Sequence, residues 1–421
     1  MKKKLAFLLA LVMILSSCLA MTACGSGGSD DSGETPAEGE TITFMAPDWA
    51  IPSDEQLAAF TEETGINVEV SEVGWDDIRE KIATASTAGQ AAADVVEVDW
   101  SWVGEFKAAG WLEPIELADK DEFLTLDTFT VDGEVLAVPY ANDYRIAYYN
   151  KEQFEQAGIT EAPKTYAEVL EAAKAIKAAG IADYPLAISM NAEEKASTGL
   201  MWTALQMDGA VWNDDGTFNK DNVMDALNYF KEAVDAELVA PEDKTASGME
   251  AYMRICSGSA SFLVGPTSFV GKTQNEETSQ VVGQVEAILA PGKDDVAEKT
   301  MALPEAIGIL SSSEHKEAAQ KFVEWYTSAD MQKAFYDSLG NLPTRQTVLT
   351  GLVEDGTIAN AGALADQAAL IASPFPGGVP AYYAEMSSAM YNAINKMALG
   401  EYSAEQAYDE MATALDGLLN E

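Results

Sequence analysis

The 421-residue chain carries 69 acidic against 25 basic side chains, a formal net charge of −44, and 48% of its residues are apolar. That surplus of negative charge excludes nucleic acid as a partner, because phosphate binding needs clustered Lys and Arg, and it opposes adhesion to an anionic bilayer surface. The apolar content allows a large buried core, and the length allows about two domains.

The first element in chain order reads as an export leader over residues 1–23. Lys2, Lys3 and Lys4 precede an apolar run from Leu5 to Leu15, and the small residues Thr22 and Ala23 precede Cys24. The run is too short for a transmembrane helix. This arrangement resembles the leaders of bacterial lipoproteins, which are cleaved before a cysteine whose thiol carries diacylglycerol, and it implies lipidation of Cys24. Met21 stands where lipoproteins prefer Leu, Val or Ile, and Leu15-Ser16-Ser17-Cys18 is a rival box. Lipidation at Cys18 would leave Leu19 to Ala23 in water, and an ordinary secreted chain with a chance cysteine is the remaining alternative. Residues 24–39, rich in Gly, Ser, Asp and Glu, read as a flexible tether because they cannot bury enough apolar surface to fold.

The body opens as alternating strands and helices. Thr41 to Ala46 is a predicted strand, and Ser53 with Gln56 forms a capping box for a helix ended by Gly65. Ile66, Val68 and Val70 alternate as a second strand, a helix runs through Ile78 and Ile82, Val95 to Val98 is a third strand, and a helix follows from Ser101 to about Ala109. This βαβαβα order predicts a parallel sheet covered by helices. After Leu136 to Pro139 the pattern restarts. Thr165 and Glu168 cap a long helix ending at Gly180, Tyr184 to Met190 reads as a strand, and a helix runs from Asp221 through Tyr229 and Phe230. Ser259 to Val264, Val285 to Leu289 and Ala306 to Leu310 are further strands, and the last 90 residues are largely helical, with Ser403 and Gln406 capping the final helix.

Two α/β units predict two lobes around a cleft, and in open α/β sheets ligands bind beyond the carboxyl ends of the strands. That rule selects Pro47, Asp48 and Trp49, then Asp99 and Trp100, then Asn191 and Glu193, and Gly265 to Thr267. Cys256, the one cysteine of the body, reads as a small buried hydrophobe, and His315 as a solvent-facing residue at a helix start. A single histidine cannot build a His-rich metal site, so neither metal nor cofactor is expected. Gly265 to Thr273 imitates a phosphate loop, but five residues separate its glycines where four are needed.

The segment Val138-Pro139-Tyr140-Ala141-Asn142-Asp143-Tyr144-Arg145-Ile146-Ala147-Tyr148-Tyr149-Asn150-Lys151, with Phe154 and Ala157-Gly158 after it, is similar to a segment of the extracellular solute-binding proteins of family 1, the maltose-binding-protein-like group. Pro163 to Tyr166, Gly258 to Phe262, Gly340 to Arg345 and the C-terminal stretch from Leu399 to Leu419 follow in the family's order. The resemblance implies a two-lobed, periplasmic-binding-protein-like α/β fold, each lobe a mixed sheet flanked by helices with the ligand cleft between them. It implies residues 40–142 plus 298–340 in the first lobe and 143–297 plus 341–421 in the second. It also implies a monomeric receptor, held at the cell membrane by lipid alone, that delivers a small solute to the permease of an ABC importer.

A sugar is the expected solute, since aromatic faces cover the C–H side of a pyranose while carboxylate, amide and guanidinium groups bind its hydroxyls. Trp49 and Trp100 are the expected stacking platforms of the first lobe, with Asp99 beside them, and Trp202 that of the second. Asn142 and Asp143 are expected to bond hydroxyls, with Arg145 joining them or orienting Asp143. Trp111 and Trp325 read as core. Phe375, Tyr382 and Tyr383 are explained as well by helix packing. A non-sugar solute such as a polyamine stays open as an alternative, as do a secreted hydrolase and an adhesin lipoprotein; no catalytic motif supports the hydrolase.

Overall fold

The computed structural model describes residues 39–358, 361–375 and 377–420, so Cys18, Cys24 and most of the tether lie outside the described residues. The βαβαβ pattern closes into a six-stranded sheet whose order is Asn67–Glu72, Thr41–Ala46, Val95–Asp99, Glu305–Leu310 and Leu112–Glu113, with Val138–Ala141 also paired to Glu305–Leu310. The first three strands are parallel, and Glu305–Leu310 runs antiparallel to Val95–Asp99. Because Thr41–Ala46 lies between the two strands that follow it in sequence, the chain winds outward in both directions from the Thr41–Ala46/Val95–Asp99 pair. That switch point opens a crevice at their carboxyl ends. Every residue of Val95–Asp99 is buried, as expected of a central strand covered on both faces.

A second, four-stranded sheet has the order Val285–Ile288, Arg145–Asn150, Phe262–Pro266 and Leu186–Ala187. Its first three strands are antiparallel and the last pair parallel. The strand expected over Tyr184 to Met190 contracts to two residues. Pro185 has no N–H to donate, its carbonyl instead accepts from Ser261 and Phe262, and Met190 N leaves the sheet to bond Asp243 O at 2.9 Å. Arg145–Asn150, wholly buried, is a central strand that periodicity alone does not reveal.

The chain passes between the sheets at residues 142–144 and again between Ile288 and Glu305. There three stretches run side by side. Asn142 N donates to Leu342 O at 2.8 Å, Arg145 N to Met301 O at 3.0 Å, and Leu303 N to Asp143 O at 2.5 Å.

The three capping boxes read from sequence are present at Ser53, Thr165 and Ser403. At Thr165 the hydroxyl accepts from Glu168 N at 3.1 Å, and the Glu168 carboxylate accepts from the Thr165 and Lys164 amides. Thr165→Ala is expected to lower stability by about 1 kcal/mol in urea denaturation, because one end-of-helix donor loses its acceptor.

Cys256 is buried, and burial pushes its thiol up to about 11. His315 stands at a helix start and bonds Glu40 at 3.0 Å, with that carboxylate raising the imidazole's affinity for a proton. Trp325 packs on Phe60 and Phe322, and Trp111 on Phe106, at ring separations of 4.9, 5.5 and 5.4 Å.

Candidate functional site

Asp99 and Glu305 are direct cross-strand partners, and Glu97, two residues before Asp99, shares their face of the sheet. Tyr140 Oη reaches Glu97 Oε2 at 3.0 Å and Glu305 Oε2 at 2.9 Å, so one phenol spans two carboxylates. Trp49, in the single turn after Thr41–Ala46, donates its indole N–H to Glu305 Oε2 at 2.8 Å. That bond fixes the indole while leaving Trp49 38% exposed, in contrast to Trp100 at 4% and Trp202 at 5%. Asn341 Nδ2 bonds the Trp49 carbonyl at 3.3 Å, joining this turn to the segment after the helix Ala329–Leu339.

Burial dominates the acid–base behaviour of this face. It pushes Asp99 up to about 6 against the hydrogen bonds from Ser101, and Glu305 to about 7 against those from Tyr140 and Trp49. Burial together with the neighbouring Glu305 and Asp99 charges holds Glu97 well above the usual carboxylate range. Glu97 Oε1 is buried with no hydrogen-bond partner.

Trp100 meets Tyr383 edge-on at 5.0 Å. Tyr383 Oη in turn bonds Glu194, whose other oxygen accepts from Ser387 at 2.5 Å. Through Trp100, Tyr383 and Glu194 the end of the first sheet is linked to helix Glu194–Asp208, and the Glu194 charge is one cause that raises Asp99.

Asp143 and Arg145 form an ion pair at 2.8 Å across the chain crossing. Asp143 Oδ1 also accepts from Thr267 N at 3.1 Å, so the strand-end segment selected from sequence does meet the crossing. The Arg145 guanidinium lies over the Trp202 ring at 4.8 Å, so the indole face offered to a sugar is covered by this cation. Buried Arg145 Nε lacks an acceptor, and Nη1 lies off the hydrogen-bonding direction to Asp143. Asn142 is 2% exposed with both side-chain atoms unpartnered. Behind Trp202 lies a cavity of about 30 Å³, room for one water, lined in part by Tyr252, Ser189 and Lys195.

The expected residues thus fall into two groups. Trp49, Asp99 and Trp100 gather at the carboxyl ends of the first sheet, and Asn142, Asp143, Arg145 and Trp202 at the crossing and the second sheet. Glu97, Tyr140, Glu194, Glu305 and Tyr383 adjoin the first group and were not selected from sequence. Glu305 begins an antiparallel strand, so it reaches the same sheet edge by its amino end, which a rule about carboxyl ends passes over.

Two sheets of mixed α/β type, joined by chain crossings beside a crevice rich in acids and aromatics, define a two-lobed solute receptor. The bacterial extracellular solute-binding protein family matches residues 46–333, and the chain belongs to that family. It is accordingly a binding receptor and not an enzyme. A putative binding protein of Brucella abortus (strain 2308) is 25% identical over 376 residues, 87% of this chain and 89% of the relative. The maltooligosaccharide ABC transporter solute-binding lipoprotein of Streptococcus pneumoniae (strain R6) is 25% identical over 353 residues, 77% of each chain. The maltose-bound structure of T. maritima MalE3 superposes with a TM-score of 0.76 at 26% identity, covering 90% of this chain and 99% of that one. No helix among the described residues is long and apolar enough to cross a membrane.

Proposed function

We propose that this receptor captures a mono- or oligosaccharide outside the cytoplasm and presents it to the permease of an ABC transporter. The observation that carries the reading is Trp49, an exposed indole oriented by Glu305 beside Asp99, where an aromatic face and hydrogen-bonding acids serve the two sides of a pyranose ring. The sugars named for the pneumococcal and T. maritima relatives support it. In this reading residues 40–142 plus 298–340 form one lobe and 143–297 plus 341–421 the other. The lobes close about the crossing at 142–145, and the closed form is what the permease recognises. Asn142, Asp143 and Arg145 complete their hydrogen bonding through sugar hydroxyls, Trp202 supports Arg145 from behind, and Trp100 backs the site beside Asp99. The receptor acts as a monomer anchored through lipid on Cys24, whose tether raises its concentration near the permease.

Thermal melting against a panel of mono- and oligosaccharides tests the function, since a ligand that binds the folded state alone raises Tm by mass action. At least one saccharide is expected to shift Tm, and Trp49→Ala is expected to weaken it by about 1–2 kcal/mol, roughly tenfold, on loss of the ring contact. Spermidine shifting Tm while every saccharide fails would overturn the reading. Mass spectrometry of the mature N-terminus distinguishes lipid on Cys24 from lipid on Cys18.

A further inference from the structure

Resting on the carbohydrate reading, we propose that the cleft selects saccharides bearing a protonated amine, which Asp99 and Glu305 receive together. Like charges placed directly opposite on neighbouring strands destabilise a sheet, yet these two acids are Cα partners in the ladder, with Glu97 beside them on the same face. Among the described residues no Lys, Arg or His nitrogen forms an ion pair with any of the three. Of the other nearby carboxylates, two have a cation and one has hydroxyl donors only. Asp143 has Arg145 at 2.8 Å, Glu193 has Lys195 at 3.8 Å, and Glu194 has the hydroxyls of Tyr383 and Ser387. Glu97, Asp99, Glu305 and Glu194 thus lack a cation, and the first three stand together on one sheet face, next to the exposed indole of Trp49.

The buried, unpartnered Glu97 Oε1 is an independent sign that this face is incomplete as it stands. A neutral hydroxyl can donate one hydrogen bond there but leaves the repulsion in place. An ammonium brings three donors and the opposing charge, and bonds between ions are about twice as strong as neutral ones. Trp49 adds an aromatic surface that also favours cations.

Without a cation, protons neutralise Asp99 and Glu305 only below about pH 6 and 7. Burial first, then the Glu194 charge, raises Asp99 to about 6 against donors from Ser101, and burial first, then the Asp99 and Asp143 charges, raises Glu305 to about 7 against donors from Tyr140 and Trp49. An arriving ammonium favours the ionised carboxylates and so lowers these values. Binding an amine releases protons, and affinity rises with pH from about 5.5 to about 7.5 as the two acids ionise unaided. A neutral sugar gains less from that ionisation, because its hydroxyls bring donors but no opposing charge.

The test is isothermal titration of the whole receptor with D-glucosamine against D-glucose, and with β-1,4-linked glucosamine disaccharide against cellobiose. Titrations in two buffers of different ionisation enthalpy at pH 6.5 read proton release. The amine of a pair is expected to bind at least tenfold tighter, with protons released and affinity rising toward pH 7.5. Glu305→Gln, which keeps an acceptor for Trp49 and Tyr140, and Asp99→Asn are each expected to bring the amine-to-neutral ratio toward one, and either variant alone decides the point. Neutral sugars binding as tightly as their amines, or a ratio untouched by the substitution, overturns the assignment while leaving the carbohydrate reading in place. Binding of spermidine with no saccharide binding at all overturns both.

Discussion

Arg254→Ala is expected to cost about 3–5 kcal/mol of stability, read by urea denaturation, because it strands a buried carboxylate. Arg254 Nη1 bonds Asp243 Oδ2 at 2.6 Å and Leu186 O at 3.0 Å, while Nη2 bonds Ser259 O at 3.0 Å and the Tyr184 carbonyl. One guanidinium therefore ties the edge of the second sheet to the turn Glu242–Lys244 and to the loop that enters Phe262–Pro266. The Asp243 side chain is 1% exposed, and even with Arg254 present its burial leaves the carboxyl raised. Without Arg254 that value rises further. A carboxyl raised in the folded state contributes most below its unfolded value and loses that contribution as pH climbs, so the variant's deficit is expected to be smaller at pH 4.5 than at pH 7.5. Pairing Arg254→Met with Asp243→Leu is expected to recover much of the loss, since apolar replacement of both partners leaves no buried charge unmatched.

Asp143→Ala is the second large effect, acting on stability and binding together. It removes the ion-pair partner of Arg145, whose side chain is 6% exposed, and the acceptor for Thr267 N. Because the Asp143 side chain itself is 32% exposed, water takes over part of its role, and the expected destabilisation is about 2–3 kcal/mol. Saccharide affinity is expected to fall about 100-fold, since the crossing loses a hydroxyl acceptor and the group that orients Arg145. Asp143→Asn keeps an acceptor for Thr267 and is expected to fall between the two proteins in both measurements. An Asp143→Ala protein with unchanged affinity would remove the crossing from the binding site.

What could be read from sequence was whatever local chemistry decides. The capping boxes at Ser53, Thr165 and Ser403 are contained within four residues, so their helix starts stand where expected. The strands Thr41–Ala46, Val95–Asp99 and Glu305–Leu310 fall within a residue of their expected bounds, since their apolar runs are bracketed by turns. Strand-end logic brought Trp49, Asp99 and Trp100 to one edge. It could not place Glu305 opposite Asp99, because that register joins positions 206 apart and depends on an antiparallel strand entering from another part of the chain. Glu97 was equally hidden, as an acid in the middle of a β-branched run reads as an outward-facing residue until the sheet is seen to be covered on that face. Tyr383 was discounted because helix packing accounts for it, and it does pack; the contact with Glu194 that gives it a second role comes from a helix 189 positions away.

Val95–Asp99 and Glu305–Leu310 are interior strands of their sheet, each paired on both sides. The acids proposed to receive the ligand are thus written into the part of the molecule on which folding depends most. Exchanging Glu97, Asp99 or Glu305 for an amide or an apolar residue relieves repulsion and desolvation at the same stroke as it erases the cleft's charge. Directed evolution for heat resistance alone would strip these positions first and yield a sturdier protein with a blunted choice of ligand. A screen meant to keep this receptor useful as a biosensor scaffold would have to score ligand discrimination in every round, and seek its gains in stability far from those two strands.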